Sequence, residues 1–176
     1  MADGAANVLL DSAAVAERID ALARAVVDAH DPGRPLNVIG IVTRGETLAG
    51  RLRETLSAAG IDVRGGSIDI TLYRDDLGEI GPAAVVKATD MPAEVTGVPM
   101  LLVDDVIYTG RSVRAALEVI NDFGRPAYVK LAALIDRGGR ELPIQPDFTG
   151  QTIDAGRNRV NVRLSEIDGH DAVEVG

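Results

Sequence analysis

The sequence has 176 residues, of which 46% are hydrophobic, and this suits one domain with one sizeable core. The formal net charge of −9 disfavours unspecific attraction to nucleic acid, whose phosphates need cations. The absence of cysteine excludes disulfides, zinc–thiolate sites and thiol nucleophiles. With no signal-peptide pattern and no apolar run long enough to cross a bilayer, we expect a cytoplasmic protein without membrane contact.

The first half of the chain alternates helical and strand patterns. Apolar residues recur at helical spacing from Val15 to Val27, and Asp11 or Ser12 is the expected cap of that helix. A buried strand then leads through a turn into a second helix that Gly60 ends. The predicted elements are an arm over 1–10, a helix over 12–30, a strand over 37–42, a turn over 43–45, a helix over 46–59 and a strand within 61–73.

The second half opens with a long polar segment, 74–92, of the kind that is usually functional or mobile. The patterns that follow predict a strand over 100–103, a helix over 111–123, a strand over 128–135, a turn-rich stretch over 136–150 and a strand over 160–164. No repeat or linker divides the chain, so residues 1–176 are expected to form a single domain. We predict a doubly wound α/β fold with a mostly parallel sheet flanked by helices, whose ligands bind at the carboxyl ends of the strands.

Chemistry is concentrated between Leu101 and Ser112, where an apolar strand meets two carboxylates, a Thr-Gly turn and the start of a helix. Amides at a helix start suit a phosphate, and Gly110 permits close backbone approach. Asp104 and Asp105 are suited to ribose hydroxyls, directly or through a magnesium shell. The pair alone could simply end a strand, but the whole run is more specific than that. The chain has neither a Walker A loop nor the Gly-x-Gly-x-x-Gly of dinucleotide sites.

The run matches the signature for 5-phosphoribosyl pyrophosphate (PRPP) in type I phosphoribosyltransferases, in which two acids precede a Thr-Gly turn. Together with residues 69–77 and 136–144, it resembles the PyrR family over about residues 9–175. Members of that family are uracil phosphoribosyltransferases, and many also regulate pyrimidine operons by binding messenger RNA. The resemblance implies that the chain makes UMP and pyrophosphate from uracil and PRPP with Mg²⁺. It also implies a small hood over about 136–153, and a homodimer or larger assembly.

The resemblance assigns roles residue by residue. It makes Asp104, Asp105, Arg44 and Arg74 catalytic, with the two aspartates holding Mg²⁺ through water. The substrate-binding residues that it implies are Thr43, Gly45, Val106, Tyr108, Thr109, Gly110, Arg111, Ser112, Ile135, Asp136 and Arg137.

Within that set, residues 43–45 form the pyrophosphate loop, where we expect a strained or cis peptide near Thr43–Arg44. Residues 135–137 form the uracil hood, and Arg137 is a further candidate for contact with pyrophosphate. The resemblance also implies that residues 74–92 form a flap that closes over the reaction, with Lys87 as a second cation. Tyr108 stands where purine-specific relatives carry an acid, so we expect catalysis without a dedicated side-chain base.

Several cations of the family's RNA-binding face are missing, because Gly139, Gln145 and Gln151 stand where basic residues are common, and Ala16-Glu17 replaces paired arginines. Each missing cation removes one counterion-release contribution to RNA affinity. The remaining cations near that face are Arg140, Arg157 and Arg159.

Two other interpretations therefore stay open beside the enzyme. One is an RNA-binding attenuator that senses UMP, and the other is a nucleotide sensor with a degraded active site. The acids near the carboxyl terminus, Glu166, Asp168 and Asp171, are interpreted as a solvated patch, and His30 and His170 are assigned no role.

Overall fold

Helices and strands alternate along the chain in the computed structural model, which describes residues 7–71 and 88–176. The strands are β1 (Asn7–Leu10), β2 (Leu36–Ile41), β3 (Val63–Ile68), β4 (Met100–Ile107), β5 (Val129–Asp136), β6 (Phe148–Thr152), β7 (Val160–Arg163) and β8 (Ala172–Val175). The helices are α1 (Ser12–Ala29), α2 (Arg44–Ala58), α3 (Arg111–Phe123) and α4 (Ser165–Asp168).

The central sheet consists of five parallel strands of the described chain, in the order β3-β2-β4-β5-β6. The chain adds β3 on one side of β2 and then crosses back to add β4 on the other side. The strand order therefore reverses between β2 and β4, where Gly40 is paired with Val103. In open α/β sheets, a crevice for ligands opens outside the carboxyl ends of the strands at such a reversal.

Both faces of this sheet are covered by apolar side chains, as a buried parallel sheet requires. On one face, Val38 and Leu101 belong to the cluster that includes α1 and α2. On the other face, Ile39 and Leu102 pack with α3. Because neighbouring strand residues point to opposite faces, the continuous apolar runs of β2 and β4 serve both layers. The predicted doubly wound α/β architecture is confirmed.

A second, antiparallel sheet has the order β1-β8-β7 and is separate from the central sheet. Its residues Leu10, Val162 and Val173, with the neighbouring Leu164, belong to the same apolar cluster as α1. The sequence predicted only β7 of this sheet. Residues 7–10 are a strand and were wrongly predicted as an arm, while the rest of the arm, 1–6, lies outside the described residues.

Several element bounds differ from the prediction in ways that matter for the site. Strand β4 does not stop at residue 103 but continues through both aspartates to Ile107. Helix α2 begins at Arg44, so Arg44 and Gly45 lie in its first turn and not in a preceding turn. Strand β6 occupies the end of the stretch that was predicted as turns. Within the described part of the chain, every helix is too short or too polar to span a lipid bilayer.

Candidate active site

Two adjacent carboxylates lie near the carboxyl end of β4, beside the end of β2. Asp104 is buried, and its Oδ1 accepts a hydrogen bond of 2.9 Å from the amide of Asp105. Burial raises the pKa of Asp105, and this effect outweighs the opposing hydrogen bond with the Asp104 side chain and the positive charge of Arg44. The site therefore disfavours a second negative charge unless a cation or a hydroxyl donor accompanies it.

Helix α3 starts six residues after Asp105, with Gly110 as its N-cap. Gly110 has a φ of 93°, a left-handed conformation that glycine adopts at little cost. The hydroxyl of Thr109 accepts a hydrogen bond of 3.3 Å from the amide of Arg111. The first amides of an α-helix lack partners within the helix, so the turn from Tyr108 to Ser112 presents donors at the sheet edge.

The residues assigned to the pyrophosphate loop lie at the start of α2, with Thr43 as its N-cap and with Arg44 and Gly45 in its first turn. The peptide between Val42 and Thr43 is cis, one bond before the expected position. Gly45 fits because α2 lies directly on β4: a β-carbon at this position would approach the carbonyl oxygen of Val103 to 2.5 Å. The absence of a side chain thus brings the start of α2 against the strand that carries the acids.

The guanidinium of Arg44 is held by Asp168 of α4. Its Nη2 donates to both carboxylate oxygens of Asp168, at 2.9 and 3.2 Å. The same carboxylate accepts a hydrogen bond of 2.9 Å from the amide of Leu164. That backbone hydrogen bond, together with Arg44, lowers the pKa of Asp168 despite the opposing effect of burial.

The acidic residues near the carboxyl terminus are paired with arginines, so their interpretation as a solvated patch was wrong. Arg51 of α2 donates to Glu166 at 2.5 Å and to Asp171 at 2.7 Å. Hydrogen bonds from Arg51 lower the pKa of both carboxyls below their ordinary values. Sequence reasoning missed this network because the residues that meet are more than 110 positions apart.

Arg140 connects the hood to the segment just before α3. The sequence predicted this arginine as one of the remaining cations of the RNA-binding face. Arg140 is largely buried and donates to Asp136 at 2.7 Å and to the Tyr108 carbonyl at 2.9 Å. Burial alone would raise the pKa of Asp136, but the hydrogen bond and charge of Arg140, with the Gly138 amide, lower it. Arg140 is therefore a structural residue of the hood.

Tyr108 and Arg137 stack against each other above the sheet edge. They follow Ile107 and Asp136, which are paired in the β4–β5 register, and this pairing brings the two side chains together. The guanidinium carbon of Arg137 lies 4.0 Å from the centre of the Tyr108 ring. Gly139 has a φ of 76°, and a β-carbon there would collide with the same ring.

Two arginines that were predicted to meet pyrophosphate each have a nitrogen without a partner. Among the described residues, the buried side-chain polar atoms that lack a hydrogen bond are Asn37 Oδ1, Arg44 Nε and Arg137 Nε. A buried donor without an acceptor is costly, so such atoms indicate a missing ligand or water. Both arginines follow the carboxyl end of a central strand, as an anion site at that edge requires.

The other predicted residues are placed as follows. Val106 is half-buried in β4 and is paired with the fully buried Ile135 of β5. Arg111 forms an ion pair of 2.7 Å with Glu141 of the hood. Arg74, Lys87 and the flap up to residue 87 lie outside the described residues. The carboxyl ends of β2, β4 and β5, to which the sequence assigned the substrate-binding residues, lie next to one another in the sheet.

A parallel sheet with this strand order, and with an acid pair leading into a Thr-Gly helix start, defines the type I phosphoribosyltransferases. Residues 6–166 match the family model described as "Phosphoribosyl transferase domain". The fold is similar to that of the hypoxanthine phosphoribosyltransferase of Trypanosoma cruzi, with a TM-score of 0.72 at 18% identity, covering 96% of this chain and 95% of that one.

The sequence comparison points to a more specific family than the fold does. The chain is 41% identical over 169 residues to the "Bifunctional protein PyrR" of Akkermansia muciniphila, covering 96% of this chain and 95% of that protein. It is 47% identical over 163 residues to the protein of the same name from Roseiflexus sp. (strain RS-1), covering 92% and 89%. The chain belongs to the PyrR family of phosphoribosyltransferases.

Proposed function

We propose that the chain is a uracil phosphoribosyltransferase that makes UMP and pyrophosphate from uracil and PRPP. In this reaction the bond between C1′ and the pyrophosphate oxygen breaks, a bond from C1′ to uracil N1 forms, and the N1 proton leaves to solvent. One observation carries the proposal. Among the described residues, an acid pair of which Asp104 is buried, a helix start and two arginines with buried, partnerless Nε atoms lie at the carboxyl ends of adjacent strands.

Asp104 and Asp105 would accept hydrogen bonds from the ribose hydroxyls and hold the water shell of Mg²⁺. Magnesium is usually bound in proteins through one or two carboxylates, waters and substrate oxygens, which fits this donor set. The raised pKa of Asp105 supports the fit, because a nearby cation favours the charged carboxylate that burial disfavours. When bound, Mg²⁺ would neutralise charge on the pyrophosphate.

The 5′-phosphate would lie at the start of α3, where the turn from Tyr108 to Ser112 supplies amides and hydroxyls. Arg44 and Arg137 would approach the pyrophosphate, since an oxyanion would satisfy the Nε atoms that now lack an acceptor. Positioning and charge stabilisation then account for catalysis, with no dedicated side-chain base. Uracil as the base follows from the family resemblance, and the hood around Ile135–Arg137 is the place for it.

The direct test is UMP formation from uracil, PRPP and MgCl₂, in wild type and in Asp105→Asn. We expect turnover in wild type and a loss of about 100-fold or more in the variant, because an amide cannot replace the charge of a carboxylate. Glu118→Gln, which breaks only an exposed ion pair on α3, is the matched control and should retain activity. Binding of UMP by wild type without any turnover would instead support the nucleotide sensor.

RNA-dependent regulation is the second candidate, because the relatives are named bifunctional. Arg157 and Arg159 are exposed beside the hood, but Arg140 is engaged with Asp136 and does not add to this surface. The test is filter binding to the leader RNA of the chain's own operon across a salt series. A steep loss of affinity with salt would support regulation, and weak binding without a steep salt dependence would confine the function to the enzyme.

A further inference from the structure

The carboxylate of Asp168, at the end of α4 and just before β8 of the small antiparallel sheet, contacts Arg44 of the pyrophosphate loop. We propose that Asp168 is a positioning residue for Arg44, which it holds in the orientation that receives pyrophosphate. This inference rests on the proposed function, because it takes Arg44 to be a pyrophosphate ligand. It extends the active site to the carboxyl-terminal part of the chain, whose acids the sequence suggested were only solvated.

The hydrogen bonds of Arg44 show how one guanidinium could serve two anions. Arg44 uses Nη2 for both oxygens of Asp168, while its Nε is buried without an acceptor among the described residues. A guanidinium is planar and rigid, so fixing Nη2 also fixes the direction in which the other N–H groups point. Asp168 therefore fixes Nη2 of Arg44, while Nε remains available to donate to an oxyanion.

Asp168 is well suited to this task because it is itself immobilised. Its side chain is only 12% exposed, and it accepts hydrogen bonds from Leu164 and, at 3.4 Å, from Arg163 as well as from Arg44. The adjacent Arg51 of α2 forms ion pairs with Glu166 of α4 and with Asp171, which follows α4. Arg44 is thus anchored to a fixed carboxylate at the start of the helix that packs on β4. A free arginine would have to be ordered at the moment of binding, which weakens affinity.

An alternative is that Asp168 only stabilises the fold, because it also binds the Leu164 amide. The two roles differ in what they predict for kinetics. A purely structural role lowers stability and affects all substrates alike. A positioning role raises KM for pyrophosphate selectively, and its effect requires Arg44.

The experiment measures the reverse reaction, UMP plus pyrophosphate, and the forward reaction with uracil and PRPP. The variants of the full chain are Asp168→Asn, Asp168→Glu, Arg44→Ala and the double variant Asp168→Asn/Arg44→Ala. Glu174→Gln is the matched control, because it breaks the neighbouring ion pair with Arg163 and leaves Arg44 in place. Thermal unfolding of each variant reports stability separately.

We expect Asp168→Asn to raise KM for pyrophosphate about tenfold, because a charge-assisted contact to Arg44 is weakened, while KM for uracil stays within about twofold. In the Arg44→Ala background, the same substitution should have no further effect on KM for pyrophosphate. Asp168→Glu keeps the charge but displaces it, so it should raise that KM too and provides the test if Asp168→Asn does not fold. Equal effects of Asp168→Asn and Glu174→Gln, or an effect that persists without Arg44, would overturn the inference.

Calorimetric titration with inorganic pyrophosphate and Mg²⁺ separates this inference from the proposed function. If wild type forms no UMP but binds pyrophosphate more tightly than Asp168→Asn does, the positioning role stands and only the proposed reaction fails. If wild type forms UMP and the variants bind pyrophosphate equally, the reaction stands and the positioning role fails.

Discussion

Replacing Arg140 by alanine tests whether this arginine fastens the hood or serves an RNA surface. Its guanidinium donates to acceptors from three parts of the hood and from the helix start. These acceptors are Asp136 Oδ2 at 2.7 Å, the Ile144 carbonyl at 2.8 Å, the Tyr108 carbonyl at 2.9 Å and Gln145 Oε1 at 3.0 Å. We expect Arg140→Ala to destabilise the fold, since all four lose their donor and the carboxylate of Asp136 loses its counter-charge.

The magnitude follows from how far this pair is buried. The side chains of Arg140 and Asp136 are 12% and 15% exposed, and breaking a buried pair by removing one partner costs about 3–5 kcal/mol. The amide of Gly138 still donates to Asp136 in the variant, which places the loss near the lower end, at about 3 kcal/mol. For a chain of this length, that corresponds to a decrease in Tm of about 8 °C.

Calorimetry of wild type, Arg140→Ala and the control Glu118→Gln measures this loss. The control removes an exposed pair on α3, worth about 0.5 kcal/mol or less. The pKa of Asp136 is lowered in the folded state, so its contribution is present above its unfolded pKa and is lost as pH falls through the folded value. The difference between wild type and Arg140→Ala should therefore shrink below about pH 4. A loss of unfolding free energy in Arg140→Ala as small as that in Glu118→Gln would refute the assignment of Arg140 as a residue that stabilises the hood.

Two pairs of glycine variants test close approaches that the structure shows at Gly139 and Gly45. Gly139→Ala should lower stability and activity more than Gly138→Ala, by about 1–2 kcal/mol in unfolding free energy: both have positive φ, but only the first β-carbon meets the ring of Tyr108. Equal losses in thermal unfolding would contradict this. Gly45→Ala should destabilise α2 against β4 and reduce turnover, whereas Gly50→Ala, which has room, should stabilise the helix by up to about 1 kcal/mol. Denaturant unfolding distinguishes the two, and a neutral Gly45→Ala would argue against the packing of α2.

Local patterns predicted α1, α2, α3, β2 and β5 to within one or two residues, because the pattern that determines each of these elements lies in nearby residues. The helix from Ser12 has its apolar stripe and its cap in neighbouring residues. As predicted, Asp11 caps it, and its carboxylate accepts a hydrogen bond from the amide of Ala14. The strand after Pro99 was predicted too short, because two aspartates in sequence resemble the end of a strand. Their neighbours in the sheet, which keep them in the extended conformation, are distant in sequence.

Strands β1 and β8 of the antiparallel sheet, and the ion pairs near it, could not be predicted for the same reason. Strand β1 has four residues and becomes a strand only by pairing with β8, at the other end of the chain. The contact between Arg44 and Asp168 joins positions 124 apart, and either residue alone is an ordinary charged residue in a polar segment. The sequence motif identified the acid pair and the helix start. The carboxylates that pair with the arginines could be identified only from the three-dimensional structure.

The negative net charge of the chain is compatible with the proposed anion site, because many of the charged side chains in the described residues are paired with an opposite charge nearby. Arg51, Arg140 and Arg163 each donate to carboxylates, so their positive charge is largely neutralised in place. Arg44 and Arg137 also have partners, but the buried Nε of each has no acceptor among the described residues. Exposed charges farther away than a Debye length of about 8 Å are screened at physiological salt. The net charge of −9 therefore opposes binding of a long polyanion over a wide surface much more than it opposes a pyrophosphate held by two arginines.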